Sequence, residues 1–413
     1  MGLAETMGET LFLAHRIPFP PNRGDKIRSH HLLKGLARLG PVHVGTFTEN
    51  ADDRAQTGAL AQLASSWHAP PRSKPLALAG VQAVLSQRPV SLAAFDDAGL
   101  KRWVEETLSA RPIDTIFVFS GQMAQYVPDS FTGRVIVDLC DVDSAKFEAY
   151  AQSGSRVWIN RREGRLLREV EAGIASRADV TMLISDNEAD LFRHRLEGQE
   201  GQDIRVLGNG VDTAFFDPCV KAPNEEIARA AGPHFVFTGQ MDYEPNVRAA
   251  LWVIDAFMPA IREHFPNAEF HVVGRSPTDH LKRRGGQPGV RIWGEVPDVR
   301  PFLAAADCVL APMTIARGVQ NKVLEAMAMA RPVMLTREAA TGIGGRDGEH
   351  LLIEQAEQGA MTERMRWLLA ERSRGEAIGK SAREFVREKM SWEAVYSELA
   401  RIVATKAASS HAA

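Results

Sequence analysis

The chain has 413 residues, 45% of them hydrophobic, which is material for two domains of ordinary size. A formal net charge of −3 argues against any global attraction to nucleic acid or to an anionic membrane. Cys140, Cys219 and Cys308 are too few and too far apart for a disulfide scaffold or a metal site, and they point to a reducing cytoplasmic setting. Glu5 and Glu9 interrupt any leader-like run, and no apolar stretch reaches bilayer length.

Residues 10–15 form a short apolar run suited to a first buried strand. The loop 16–26 follows, stiffened by three prolines and carrying Gly24 and the cations Arg16, Arg23 and Lys26. From Lys26 to Leu39 the apolar positions recur at helical spacing, and 42–47 reads as the next strand. His15 and the loop therefore sit at the carboxyl end of the first strand, the edge where open α/β sheets bind ligands. Further strands are expected at 113–119, 134–139 and 179–184, with an arginine-rich helix at 155–177. Ser185, three residues before Glu188, suits a helix cap. The basic helix faces at 26–38 and 156–168 suit either a solvated surface, the commoner case, or peripheral contact with anionic lipid, and Glu163, Glu169 and Glu171 dilute the second.

After a turn-rich connector, a second α/β series begins with a strand at 234–239. A helix at 246–264 and strands at 269–274, 290–294 and 307–311 follow, with a short helix at 298–305. The stretch 316–335 then reads as loop, helix and buried strand, with Pro332 stopping the helix. Gly318 lets backbone approach a ligand. The N–H groups near Gln320, Asn321 and Lys322 fall at a helix N-terminus, an anion site to which Lys322 adds a full charge. Glu325 lies on the same face and suits ribose hydroxyls. An amphipathic helix spans 391–404, with Trp392, Val395, Tyr396, Leu399 and Ile402 on one side.

In order and spacing, several motifs resemble the GT4 family of GT-B glycosyltransferases. Asn209-Gly-Val-Asp212 with Phe216 looks like its interdomain signature. Gly239 and Gly274 close strands where that family places its nucleotide-sugar loops, and Trp293-Gly-Glu-Val296 also matches. Lys322-Val-Leu-Glu325-Ala-Met-Ala with Pro332-Val is similar to the second half of its E-x7-E motif. The segments Pro18 to Arg28 and Val137 to Lys146 resemble the branch found with exosortase (PEP-CTERM) and exopolysaccharide systems.

The resemblance implies an α/β GT-B fold of two Rossmann-like doubly wound domains facing a cleft. Its parts would be an acceptor-side domain at 1–205, a linker at 206–232, a nucleotide-sugar domain at 233–388, and a C-terminal helix at 389–413 returning to the first domain. It further implies a metal-independent, retaining transfer of a hexose-type sugar from a UDP- or GDP-linked donor. The acceptor would be a glycan or lipid-linked saccharide, with no tightly bound cofactor. The expected donor residues are Gly24, Lys26, Gly239, Gln240, Asn246, Arg275, Gly294, Glu295, Val296, Arg317, Gly318, Val319, Gln320, Asn321, Lys322 and Glu325. His15, Asp138, Asp141 and Asp143 are expected on the acceptor side, with Asp141 contacting or deprotonating the acceptor hydroxyl. Asp141-Val-Asp143 spells D-x-D, a metal motif of a different glycosyltransferase fold, and capping of the next helix is an equal reading for Asp143.

The chain departs from the family at two places. Arg317 stands where the first Glu of the motif would fall, and Gln240 and Asn246 replace the usual Arg and Lys after Gly239. Stabilisation of the leaving diphosphate is therefore expected to move to Lys322 and Arg317, helped by Lys26, Arg16, Arg23 and Arg28. A GT-B epimerase and a non-catalytic scaffold are the rival readings.

Overall fold

A computed structural model describes residues 8–152, 157–196, 201–315 and 319–405. The chain divides into two compact units, Met1–Gly208 with Tyr396–Ala413, and Asn209–Val395. Each is a parallel sheet with helices, and both are Rossmann-like, the GT-B class of fold.

Among the described residues the first unit has strands β1 (Glu9–Ala14), β2 (Val42–Thr46), β3 (Ser66–His68), β4 (Ile113–Phe119), β5 (Arg134–Cys140), β6 (Val180–Leu183) and β7 (Ile204–Val206). Their order is β3-β2-β1-β4-β5-β6-β7, all parallel. Leu11, Phe12 and Leu13 are all fully buried, because a central parallel strand is covered on both faces. The chain starts at β1, moves out to β3 and returns to β4. That reversal opens a crevice at the carboxyl ends of β1 and β4.

The second unit repeats the plan with β8 (His234–Thr238), β9 (Glu269–Val273), β10 (Val290–Gly294), β11 (Cys308–Ala311), β12 (Val333–Leu335) and β13 (Leu352–Ile353). Their order is β10-β9-β8-β11-β12-β13, again parallel, so the second reversal lies between β8 and β11. Each unit has its own apolar core.

Ser185 accepts the amide of Glu188, as its spacing predicts. Trp392, Val395, Tyr396, Leu399 and Ile402 are each buried. In the first unit the Tyr396 hydroxyl is 2.5 Å from His31 Nδ1, and its ring lies under Arg38. The expected stop at Pro332 is corrected. The helix Asn321–Ala328 ends earlier, where Ala330 takes a left-handed φ of 54°. Ala330 N–H donates to Met327 and Arg331 N–H to Ala326, a Schellman closure that needs no proline. Strands β3 and β7 and the helices between 76 and 110 and between 358 and 389 add to the elements expected from sequence.

Candidate functional site

The crevice of the second unit is built on two glycines. Gly239 follows β8 with φ 154°, and Gly274 follows β9 with φ 157°. A Cβ on Gly274 would lie 1.6 Å from the Gly239 carbonyl oxygen, so the two loops touch backbone to backbone. A Cβ on Gly239 would meet Asn246 Nδ2 at 2.9 Å and Lys322 Nζ at 3.1 Å. Glycine at both positions thus lets two polar side chains close in on a strand end.

Lys322 is in the first turn of helix Asn321–Ala328, where N–H groups lack intrahelical partners. Its ammonium donates to Asn246 Oδ1 at 2.5 Å and lies 3.6 Å from Met313 Sδ. It also sits 4.6 Å from the centroid of the Phe237 ring. Asn246 is fixed in turn by donating to the Gln240 carbonyl at 2.9 Å. These partners are all neutral, and among the described residues Lys322 has no ion pair. Burial pulls its pKa down to about 8, with Glu325 pulling the other way. Burial likewise pushes Glu325 up to about 7, against the effect of Lys322. Both side chains remain partly open to solvent. The site therefore holds a cation and an acid that gain from an incoming partner: an anion for Lys322 and hydroxyl donors for Glu325.

The other donor candidates fall around this point. Gln240 and Arg275 meet at the two loop exits, with Arg275 donating to Gln240 Oε1 at 3.0 Å. Gly294 closes β10 with φ 72°, Glu295 is exposed, and Val296 packs partly onto the core. Gln320 caps the helix through its backbone, Val319 and Gln320 are half-buried, and Asn321 is exposed. Arg317 and Gly318 lie outside the described residues. Sequence reasoning missed Phe237 and Met313. The period of two along β8 and its exit gave a signal for Phe237, which shares a face with Gly239.

The first unit corrects the expectation of spare cations in the opening loop. Lys26 is buried and donates to Asp53 at 2.5 Å and to the Phe19 carbonyl at 3.1 Å. Arg28 is buried against Asp138 at 2.8 Å and also donates to the Leu207 carbonyl. Arg16 pairs with Asp25 and Glu49, and Arg23 pairs with Asp25. Gly24, the first residue of the helix, is exposed with open space around it. Asp138 is also corrected as an acceptor contact: it is fully buried and spent on Arg28 and the Cys140 amide. Asp141 and Asp143 share Lys146 at 2.7 and 3.2 Å, half-exposed at the exit of β5. His15 stacks on Phe119, with Nε2 3.6 Å from Asp25.

At the opposite, amino edge of the second sheet lies a group the sequence did not reveal: His234, Glu269 and His271. The Trp293 indole donates to His271 Nδ1 at 3.2 Å, which assigns the ring proton to Nε2. His271 Nε2 then donates to His234 Nδ1 at 3.2 Å, and His234 Nε2 donates to the Ala230 carbonyl. Every imidazole lone pair is engaged in this chain, which leaves none for a cation. Burial, with His234 and Arg291 beside it, holds His271 down to about 3 and so neutral.

Residues 232–371 match the family described as "Glycosyl transferases group 1". Over 168 residues the chain is 30% identical to a phosphatidyl-myo-inositol mannosyltransferase of Mycolicibacterium smegmatis, covering 38% of this chain and 42% of that one. The chain thus spans less than half the length of that curated relative. The fold is similar to HepE of Anabaena, solved in complex with UDP, at TM-score 0.64 and 14% identity over 96% of this chain and 99% of that one. It is also similar to sucrose-phosphate synthase from Thermosynechococcus elongatus, at TM-score 0.60 and 16% identity over 95% and 98% of the two chains.

Proposed function

We propose that this chain is a retaining glycosyltransferase that moves a hexose-type sugar from a UDP- or GDP-linked donor to a glycan or lipid-linked acceptor. The single observation carrying the reading is Lys322: a cation at a sheet's ligand edge, hydrogen-bonded to neutral partners and with no carboxylate at ion-pair distance among the described residues. The match of residues 232–371 to group 1 glycosyl transferases supports it.

In this reading the donor diphosphate lies at the start of helix Asn321–Ala328, against its first-turn N–H groups and Lys322. Glu325 accepts from ribose hydroxyls, and backbone at Gly294 to Val296 faces the base. The C1–phosphate oxygen bond breaks as the acceptor oxygen bonds to C1 on the same face. The acceptor proton passes to the departing phosphate oxygen. The charge that grows on the diphosphate is met by Lys322, already in place and poorly solvated. The role of the metal in other glycosyltransferase folds is thereby assigned to a side chain. Asp141, half-exposed at the end of β5 beside Lys146, is the carboxylate proposed to contact the acceptor. A cytoplasmic site of action, peripheral to the membrane, in surface-glycan or exopolysaccharide synthesis fits the resemblance. Among the described residues no helix is long and apolar enough to cross a membrane.

The test is calorimetric titration with UDP and GDP, followed by transfer assays with UDP- and GDP-hexoses on lipid-linked acceptors. Binding lost in Lys322→Ala supports the reading. Normal donor affinity in that variant overturns it. Epimerised sugar formed without acceptor assigns the site to an epimerase instead.

A further inference from the structure

We infer that the first unit carries a docking face for an anionic phospholipid surface, made by helix Leu76–Leu85 and the first turns of helix Val157–Arg177. The inference deepens the reading above, because a lipid-linked acceptor is met at a bilayer, and it names the surface that meets it.

Helix Leu76–Leu85 is inverted relative to an ordinary surface helix. Its small residues Ala79 and Ala83 are fully buried, while Leu78, Val81, Val84 and Leu85 face outward, Leu85 with 82% of its surface exposed. Val81, Val84 and Leu85 share a groove of about 460 Å³ with Trp158 and Ile159, and Trp158 is itself 71% exposed. Clustered exposure of this kind marks an interaction surface rather than scattered apolar residues.

The face is held as one platform by two charged residues turned inward. Arg162 donates to the Ala83 and Arg88 carbonyls at 2.8 and 3.3 Å. Glu163 accepts from the amides of Val90 and Ser91 at 2.8 and 2.9 Å and from the Ser91 hydroxyl. Glu171 is likewise buried, bonded to the Ser144 amide and hydroxyl. Two of the three glutamates that dilute this helix in the sequence therefore contribute nothing to its outer face. Arg161, Arg165 and Arg168 stay exposed; Arg165 lies 3.6 Å from Glu169, the remaining exposed acid of the helix, in a solvated pair that a dense anionic surface can outcompete, and Arg168 donates to the Arg195 carbonyl. Arg161 and Arg165 follow Trp158 by three and seven residues, on the same side. An aliphatic and aromatic tip with a basic flank matches the boundary between acyl chains and anionic headgroups. A second copy of the same face would instead present a like-charged rim.

The test is co-sedimentation of the full chain with vesicles of equal phosphatidylglycerol and phosphatidylcholine, and of phosphatidylcholine alone. Binding is expected to the anionic vesicles and to weaken as salt rises. Leu85→Glu with Trp158→Ser should weaken it at least about tenfold. Arg161→Glu with Arg165→Glu should erase the preference for anionic over neutral vesicles. An unchanged unfolding midpoint verifies that these surface variants fold. Absence of binding by the unmodified chain, or unchanged binding in the first variant, overturns the inference. A dimer in sedimentation velocity that Leu85→Glu dissolves also overturns it, assigning the face to a second copy. The assay contains no donor or acceptor, so its failure leaves the transfer reading standing, and the reverse holds.

Discussion

The carboxyl edges of the two sheets, built on the same strand order, treat charge in opposite ways. In the first unit, Arg16, Arg23, Lys26 and Arg28 are each closed by a carboxylate, and Asp25 is held far below the usual carboxylate range, its burial outweighed by the His15 hydrogen bond and the neighbouring arginines. In the second, Lys322 has neutral partners alone among the described residues, and Glu325 answers it from one turn on. A closed pair has little to gain from a ligand, whereas a desolvated cation with no carboxylate at ion-pair distance gains much. The arginines of the opening loop are thus paired within the fold, and the sparser edge is the one proposed to carry the binding chemistry.

Substitution of Arg28 should break the first edge most severely. Arg28→Leu leaves Asp138 buried without its ion-pair partner, at a cost of about 3–5 kcal/mol in urea unfolding. Lys322→Met should instead leave stability near that of the parent while lowering UDP affinity roughly tenfold to a hundredfold by calorimetry. If Arg28→Leu were tolerated and Lys322→Met unfolded the chain, the contrast between the edges would be reversed.

The glycines sharpen the same comparison. Gly274→Ala drives a methyl into the Gly239 carbonyl and should cost roughly 2–4 kcal/mol. Gly24→Ala meets open space at a helix start and should change stability by less than about 0.5 kcal/mol.

A pH effect follows from the second edge. Lys322 titrates near 8 and an adjacent diphosphate raises that value, so binding near pH 9 takes up a proton and affinity falls as pH rises through 8. Calorimetry in buffers of different ionisation enthalpy measures the uptake. In unfolding, Glu325, raised from 4.5 to about 7, favours the folded state fully below 4.5, and that contribution is lost as pH rises through 7. Glu325→Gln should flatten this small slope; an unchanged slope would separate Glu325 from the titration.

The central strands, the two glycine exits and the Lys322–Glu325 spacing were legible in the sequence, because burial on both faces imposes long apolar runs and a helix fixes its own neighbours. Strands β3 and β7 were not, since each has three half-buried or exposed residues and so no apolar run. The state of each charge was decided by tertiary structure alone. Lys26 meets Asp53 across 27 residues, Arg28 meets Asp138 across 110, and Lys322 meets Asn246 across 76. The sequence supplies an arginine or a glutamate at a position. Whether that charge is cancelled, turned inward or left for a ligand depends on which strand end the fold brings beside it, because electrostatic pairing acts over a few ångströms of space and takes no account of distance along the chain.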